Sequence, residues 1–143
     1  MKKLLLTVLC CSALSPALAA DPIAARQQVF EQYKKTVGAM GKMVKGDTQF
    51  SQQEFAKLAA HLDELAQQPW QYFTPGSTKG KTDAKPEIWS RPAEFKAAID
   101  KHKAEVAKLK ATAASAQSVS DVKAQFGATQ QTCKACHDQF RAD

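Results

Sequence analysis

Residues 118–141 read SVSDVKAQFGATQQTCKACHDQFR. Ser118 followed three residues later by Asp121 is a helix-opening signal. From there Val122, Phe126, Thr129, Cys133, Cys136 and Phe140 recur at intervals of three and four. That spacing draws one line down a helical face. Within it, Cys133-Lys134-Ala135-Cys136-His137 has the C-x-x-C-H pattern of covalent c-type haem attachment. Cysteines three apart on a helix face the same way, so both sulfurs reach the two vinyl groups on one edge of the macrocycle. His137 then brings an imidazole nitrogen under the iron as the proximal ligand. A thioredoxin-like pair calls for a βαβ context and a helix start. A zinc site calls for further ligands, and neither His61 nor His102 has ligand-like spacing. A disulfide between residues three apart on a helix has poor geometry. The motif therefore predicts one haem c, bound through Cys133 and Cys136.

Working outward, three more amphipathic segments precede this one. The first opens at Asp21 as N-cap with Pro22 at the first helical position. It carries Ile23, Arg26, Phe30, Tyr33, Val37, Met40 and Val44 as a seam, and Gly46 and Asp47 end it. The second opens on Ser51 and Glu54 as a capping box. It carries Phe55, Leu58, Leu62 and Leu65 and is expected to run to about Phe73. The third opens near Ser90 with Pro92 in its first turn, and carries Phe95, Ile99, His102, Val106 and Leu109. Residues 74–89, rich in Pro, Gly, Lys and Thr, form a long loop between the second and third segments. The other two connections are short and force neighbouring helices to run antiparallel. No alternation of strand type appears. The chain is thus expected to be all-α, an antiparallel up-down-up-down four-helix bundle with covalently bound haem.

The first 20 residues are read as a cleaved export signal, leaving residues 21–143 as the bundle domain. Lys2 and Lys3 form a basic start, Leu4 to Leu9 an apolar stretch, and Ala17-Leu18-Ala19 a small-residue cleavage site. The apolar stretch is too short to span a bilayer. Cys10 and Cys11 leave with the signal, so only the motif cysteines remain. Loss of Lys2 and Lys3 takes the formal charge from +6 to +4. The charge is spread along the chain, which excludes a nucleic-acid footprint. The expected location is the periplasm, with no membrane span after signal cleavage.

Topology limits what can approach the haem. The fourth helix ends where the first begins, and the long loop lies at that same end. The haem is therefore expected beside Arg26, Phe30, Trp70, Phe73 and the loop. Met40 lies ten residues beyond Phe30, about 15 Å along a helix, and Met43 is farther, so both are assigned to the core. Phe30 is left as the distal residue. Phenylalanine cannot ligate iron, so the sixth position stays open to uncharged diatomics such as nitric oxide or carbon monoxide. Arg26 on the seam calls for an anion, and a haem propionate is the expected partner. Arg141, one turn after His137, covers the proximal side or serves the helix macrodipole. His102 is expected to be a buried, hydrogen-bonded histidine and His61 to lie on the surface. Trp70, Tyr72 and Phe73 are expected to wall the pocket and the core.

Taken together, C-K-A-C-H-D with Phe140-Arg141, Pro69-Trp70, Phe73-x-Pro75-Gly76 and Asp83-Ala84-Lys85-Pro86-Glu87-Ile88-Trp89 resemble cytochrome c′, the high-spin class II cytochromes c. Arg26-Gln27 followed by Phe30 resembles the start of that family's first helix. The resemblance implies a five-coordinate haem that binds nitric oxide and carbon monoxide, and a homodimer. It places Arg26, Gln27 and Asp83 around the propionates and haem edge, Phe30 at the distal position, and Arg141 beside the proximal face. No enzymatic activity is expected, because peroxidase chemistry wants a polar distal acid–base residue and none is evident beside Phe30. A periplasmic electron carrier with an unidentified redox partner is the alternative, opposed by the absence of a methionine where Phe30 stands.

Overall fold

In a computed structural model the chain is described from residue 21 to residue 142, so the expected export signal lies outside the described residues. Helix α1 spans Pro22–Lys45, and Asp21 caps it by accepting from the Ile23 N–H at 3.0 Å. Gly46 closes α1 with φ at 84°, a left-handed turn that glycine enters without steric cost. Helix α2 spans Gln52–Leu65 and is capped by the Ser51 hydroxyl, which accepts from the Glu54 N–H at 3.4 Å. A single turn, α3, covers Glu87–Ser90 at the end of the long loop. Helix α4 spans Pro92–Ser115, with Pro92 at its first position, and α5 spans Val119–Phe140. Asp121 accepts from the Ser118 N–H at 2.8 Å, the opening that Ser118 and Asp121 predict.

The second segment is shorter than its spacing predicts. It ends at Leu65, and Pro69–Tyr72 form a separate 3₁₀ turn instead of continuing to Phe73. Pro69 has no N–H, and inside a helix its ring would clash with the carbonyl of Leu65, four residues back. The break swings Trp70 and Phe73 away from the α2 axis and toward the open end of the bundle.

Helices α1, α2, α4 and α5 pack around one core, each against its sequence neighbours in the bundle. Met40, Phe55, Leu62, Leu65, Val106, Leu109 and Val122 are shut off from solvent and fill the interior. Each contributes about 1.5–3 kcal/mol of burial. Met40 and Met43 are core residues, His61 is exposed, and His102 is buried, as expected.

The seam of α1 is rotated from the expected one. Val29, Thr36 and Met43 are buried, whereas Phe30, Val37 and Val44 are only half-buried. On α5 it is Thr132 that is buried, while Cys133 and Cys136 are half-buried. Helices α1 and α5 meet far less than the other neighbouring pairs. Phe30, Val37 and both cysteines face the opening between them. A second, smaller cluster of Ile88, Phe95 and Phe140 closes that end from the α4 side.

Candidate haem-binding site

The opening is a cleft of about 750 Å³. It brings together all eight residues singled out in the sequence: Arg26, Gln27, Phe30, Asp83, Cys133, Cys136, His137 and Arg141. The two cysteines and His137 come from the last turns of α5. Phe30 stands on α1, and the aromatic rings of Trp70 and Phe73 lie against it at centroid distances of 6.0 and 6.4 Å.

The donor set suits covalent haem. Both thiols are free, and one of them, Cys133, points its Sγ at the Thr129 carbonyl oxygen at 3.6 Å. Burial raises the pKa of both, and the neighbouring Cys133 adds to the effect on Cys136, which reaches about 11. Each therefore enters the cleft as a neutral thiol, and its S–H supplies the sulfur and the proton that thioether formation at a vinyl group takes up overall. Burial lowers the pKa of His137, Arg141 lowers it further, and Asp138 opposes them. That balance favours the neutral imidazole a metal requires. Among the described residues no cluster of three His, Cys, Asp or Glu side chains is placed to hold a bare metal ion.

Arg26 is buried, with 2% of its surface exposed. Its partners are not the ones a counter-ion alone would take. Nη1 donates to the Tyr72 carbonyl at 3.0 Å and to the Ser77 hydroxyl at 2.8 Å. Nη2 donates to the Ser77 carbonyl at 2.8 Å and to the Thr82 hydroxyl at 2.9 Å. All four acceptors are neutral. Desolvation lowers the Arg26 pKa, and the carboxylate of Asp21 works against it. A buried cation with only neutral partners is costly unless a negative charge comes near. A carboxylate entering the cleft would supply that charge. Gln27 beside it donates to the Lys81 carbonyl at 2.9 Å.

The C-terminus straps the other end of the loop. The Lys85 N–H donates to the Phe140 carbonyl at 3.0 Å, and the Ala142 N–H to the Asp83 carbonyl at 2.7 Å. Ala84 and Arg141 form an antiparallel bridge, and Arg141 Nη2 lies 3.3 Å from Asp83 Oδ2. His102 lines the cleft from α4, with Nδ1 2.7 Å from the Thr132 hydroxyl, and burial above all pushes its pKa down to about 4. Ser77, Thr82 and Thr132 carry no motif, and nothing in the linear sequence marks them as part of this site.

A four-helix bundle whose last helix presents two free cysteines and an adjacent histidine to an aromatic cleft is a bundle-type haem c protein. Comparison with known proteins gives the particular one. The profile of the family described as Cytochrome C' matches residues 21–141, and the chain belongs to that family. The cytochrome c′ of Rubrivivax gelatinosus is 38% identical over 122 residues, covering 85% of this chain and 94% of the relative. Its crystal structure superposes with a TM-score of 0.80. Cytochrome c prime from Shewanella frigidimarina superposes with a TM-score of 0.82 at 33% identity, over 87% of this chain and 96% of that one. The nitric oxide complex of a leucine-to-alanine mutant of cytochrome c prime from Alcaligenes xylosoxidans superposes with a TM-score of 0.80 at 32% identity, over 86% of this chain and 94% of that one. The chain is accordingly a haem c protein attached through Cys133 and Cys136, and not an enzyme.

Proposed function

We propose that this protein binds nitric oxide and carbon monoxide in the periplasm at a five-coordinate haem iron, and that it lowers free nitric oxide there. A bound haem would supply an iron able to bind a diatomic gas, and His137 would hold that iron from α5. The observation that carries the reading is Phe30: the α1 residue packed against Trp70 and Phe73 on the cleft wall has no atom able to ligate iron, and both core methionines lie away from the cleft lining. Phe30, Trp70 and Phe73 exclude water and offer an incoming gas no hydrogen bond. Arg26, Gln27 and Asp83 line the cleft where they would meet the acidic edge of a bound haem, and the buried Arg26 charge would draw a propionate toward α1. Arg141 would cover the side next to His137. A leucine-to-alanine mutant of the relative from Alcaligenes xylosoxidans has been seen as a nitric oxide complex, which supports the ligand assignment.

Electron transfer is the second reading. His102 favours it, because a neutral imidazole on the cleft wall is a candidate sixth ligand. The absorption spectrum of the reduced protein separates the two. A broad, unsplit visible band means five-coordinate iron and gas binding. Sharp, split α and β bands mean a sixth protein ligand and an electron carrier.

Export accompanies this function: cleavage after Ala19 or Ala20 leaves a chain that begins at Ala20 or Asp21, and the mass of the protein purified from the periplasm tests it. Among the described residues no helix is long and apolar enough to cross a membrane. The functional unit is a homodimer, to be checked by sedimentation.

A further inference from the structure

We infer that Arg26 is a positioning residue: its guanidinium fork holds the Tyr72–Thr82 loop against α1 and, through Phe73, sets the place of Phe30. This role is separate from that of a counter-ion to an acidic cofactor edge. Four terminal N–H groups meet four acceptors on one loop, at 2.8–3.0 Å. Only the Nε–H is left over for anything else. The acceptor side is equally organised, since the Ser77 hydroxyl that accepts from Arg26 donates in turn to the Thr74 carbonyl at 2.8 Å. Arg26 Cζ lies 4.6 Å from the centroid of the Phe73 ring, and that ring is the one packed against Phe30. The chain of contact runs from α1 through the guanidinium to Phe73 and back to α1 at Phe30, one turn along.

The alternative is that charge alone matters at this position. Lysine distinguishes the two, because an ammonium keeps the charge but is a point donor with no planar fork. Changing the acceptors distinguishes them from the other side, because it spares the arginine.

The haem-loaded protein is tested as wild type, as Arg26→Lys, and as the double variant Ser77→Ala with Thr82→Val. Three readouts are taken: amide hydrogen exchange across residues 74–82, carbon monoxide association after flash photolysis, and the pH profile of the reduction potential. The clamp predicts that loop exchange rises at least about tenfold in both variants, as when a charged hydrogen bond is lost. It also predicts faster carbon monoxide association in both, with the pH profile of the double variant unchanged. The inference is overturned if Arg26→Lys keeps wild-type loop exchange and gas kinetics. Should Arg26→Lys not fold, the double variant decides alone: wild-type exchange in the loop overturns the clamp. The gas readout rests on the five-coordinate haem reading and the exchange readout does not. A six-coordinate spectrum would therefore sink that reading and leave the clamp to be judged on exchange.

Discussion

The Thr132 hydroxyl oxygen stands 2.7 Å from His102 Nδ1 and 2.6 Å from the Thr129 carbonyl oxygen. The carbonyl can only accept, so the single hydroxyl proton is spent on Thr129. Thr132 must then accept from His102, which fixes the neutral imidazole with its proton on Nδ1 and its lone pair on Nε2.

That arrangement has a consequence for stability against pH. Burial, and to a lesser degree the charge of His137, lowers the His102 pKa from 6.5 to about 4. Between those values the unfolded chain takes up a proton that the folded protein refuses. Stability therefore falls as pH drops from about 6.5 to about 4, by up to about 3 kcal/mol for this group. Denaturant midpoints of the haem-loaded protein across this range, compared with His102→Gln, isolate the effect. The variant is expected to show a flatter slope, and parallel slopes would remove His102 from the account.

The ends of the helices were legible because they are set by local chemistry. Asp21-Pro22, Gly46 and the Ser118–Asp121 pair each act within a few residues of where they stand. Pro69 is equally local, yet the apolar line through Leu65 masks its effect on α2. The seam of α1 departs from its hydrophobic spacing for another reason. Phe30 and Val37 are apolar because they face a cofactor cleft, and hydrophobic spacing does not separate a cleft wall from a helix neighbour. The partners of Arg26 lie 46 to 56 residues away along the chain, on a loop without periodicity. An arginine on a seam announces that it needs acceptors, but the sequence does not say whether they are carbonyls or a carboxylate.

Phe30→Ala tests the gate. The ring is half-buried and packs against Tyr33, Trp70 and Phe73. Its removal opens the α1 side of the cleft without touching the Cys133–His137 turn. Carbon monoxide association is expected to speed up, with a stability loss below the ~3–5 kcal/mol of a fully buried phenylalanine. Unchanged association kinetics would show that Phe30 does not stand in the path of the ligand.

Leu62→Ala separates bundle stability from the site. Leu62 is fully buried in the main core and is not among the residues lining the cleft. A cavity there is expected to cost about 2–5 kcal/mol in denaturant unfolding. The absorption spectrum of the native baseline should match that of the wild type. A changed spectrum would mean that the core and the cleft are coupled through α2.

Two glycines give opposite predictions from one substitution. Gly80 has φ at 133°, and a Cβ there would approach Ile23 Cδ1 to 3.0 Å. Gly80→Ala thus strains the backbone and pushes the loop off α1. A loss of about 1–2 kcal/mol is expected, with faster amide exchange around Thr82. Gly38 lies within α1, and a Cβ there meets nothing within 4 Å. Gly38→Ala should stabilise the protein by about 0.5–1 kcal/mol, through helix propensity and a less flexible unfolded chain. Thermal unfolding of both variants beside the wild type checks the pair. A neutral Gly80→Ala would show that the loop adjusts at Gly80 and Ile23 without cost.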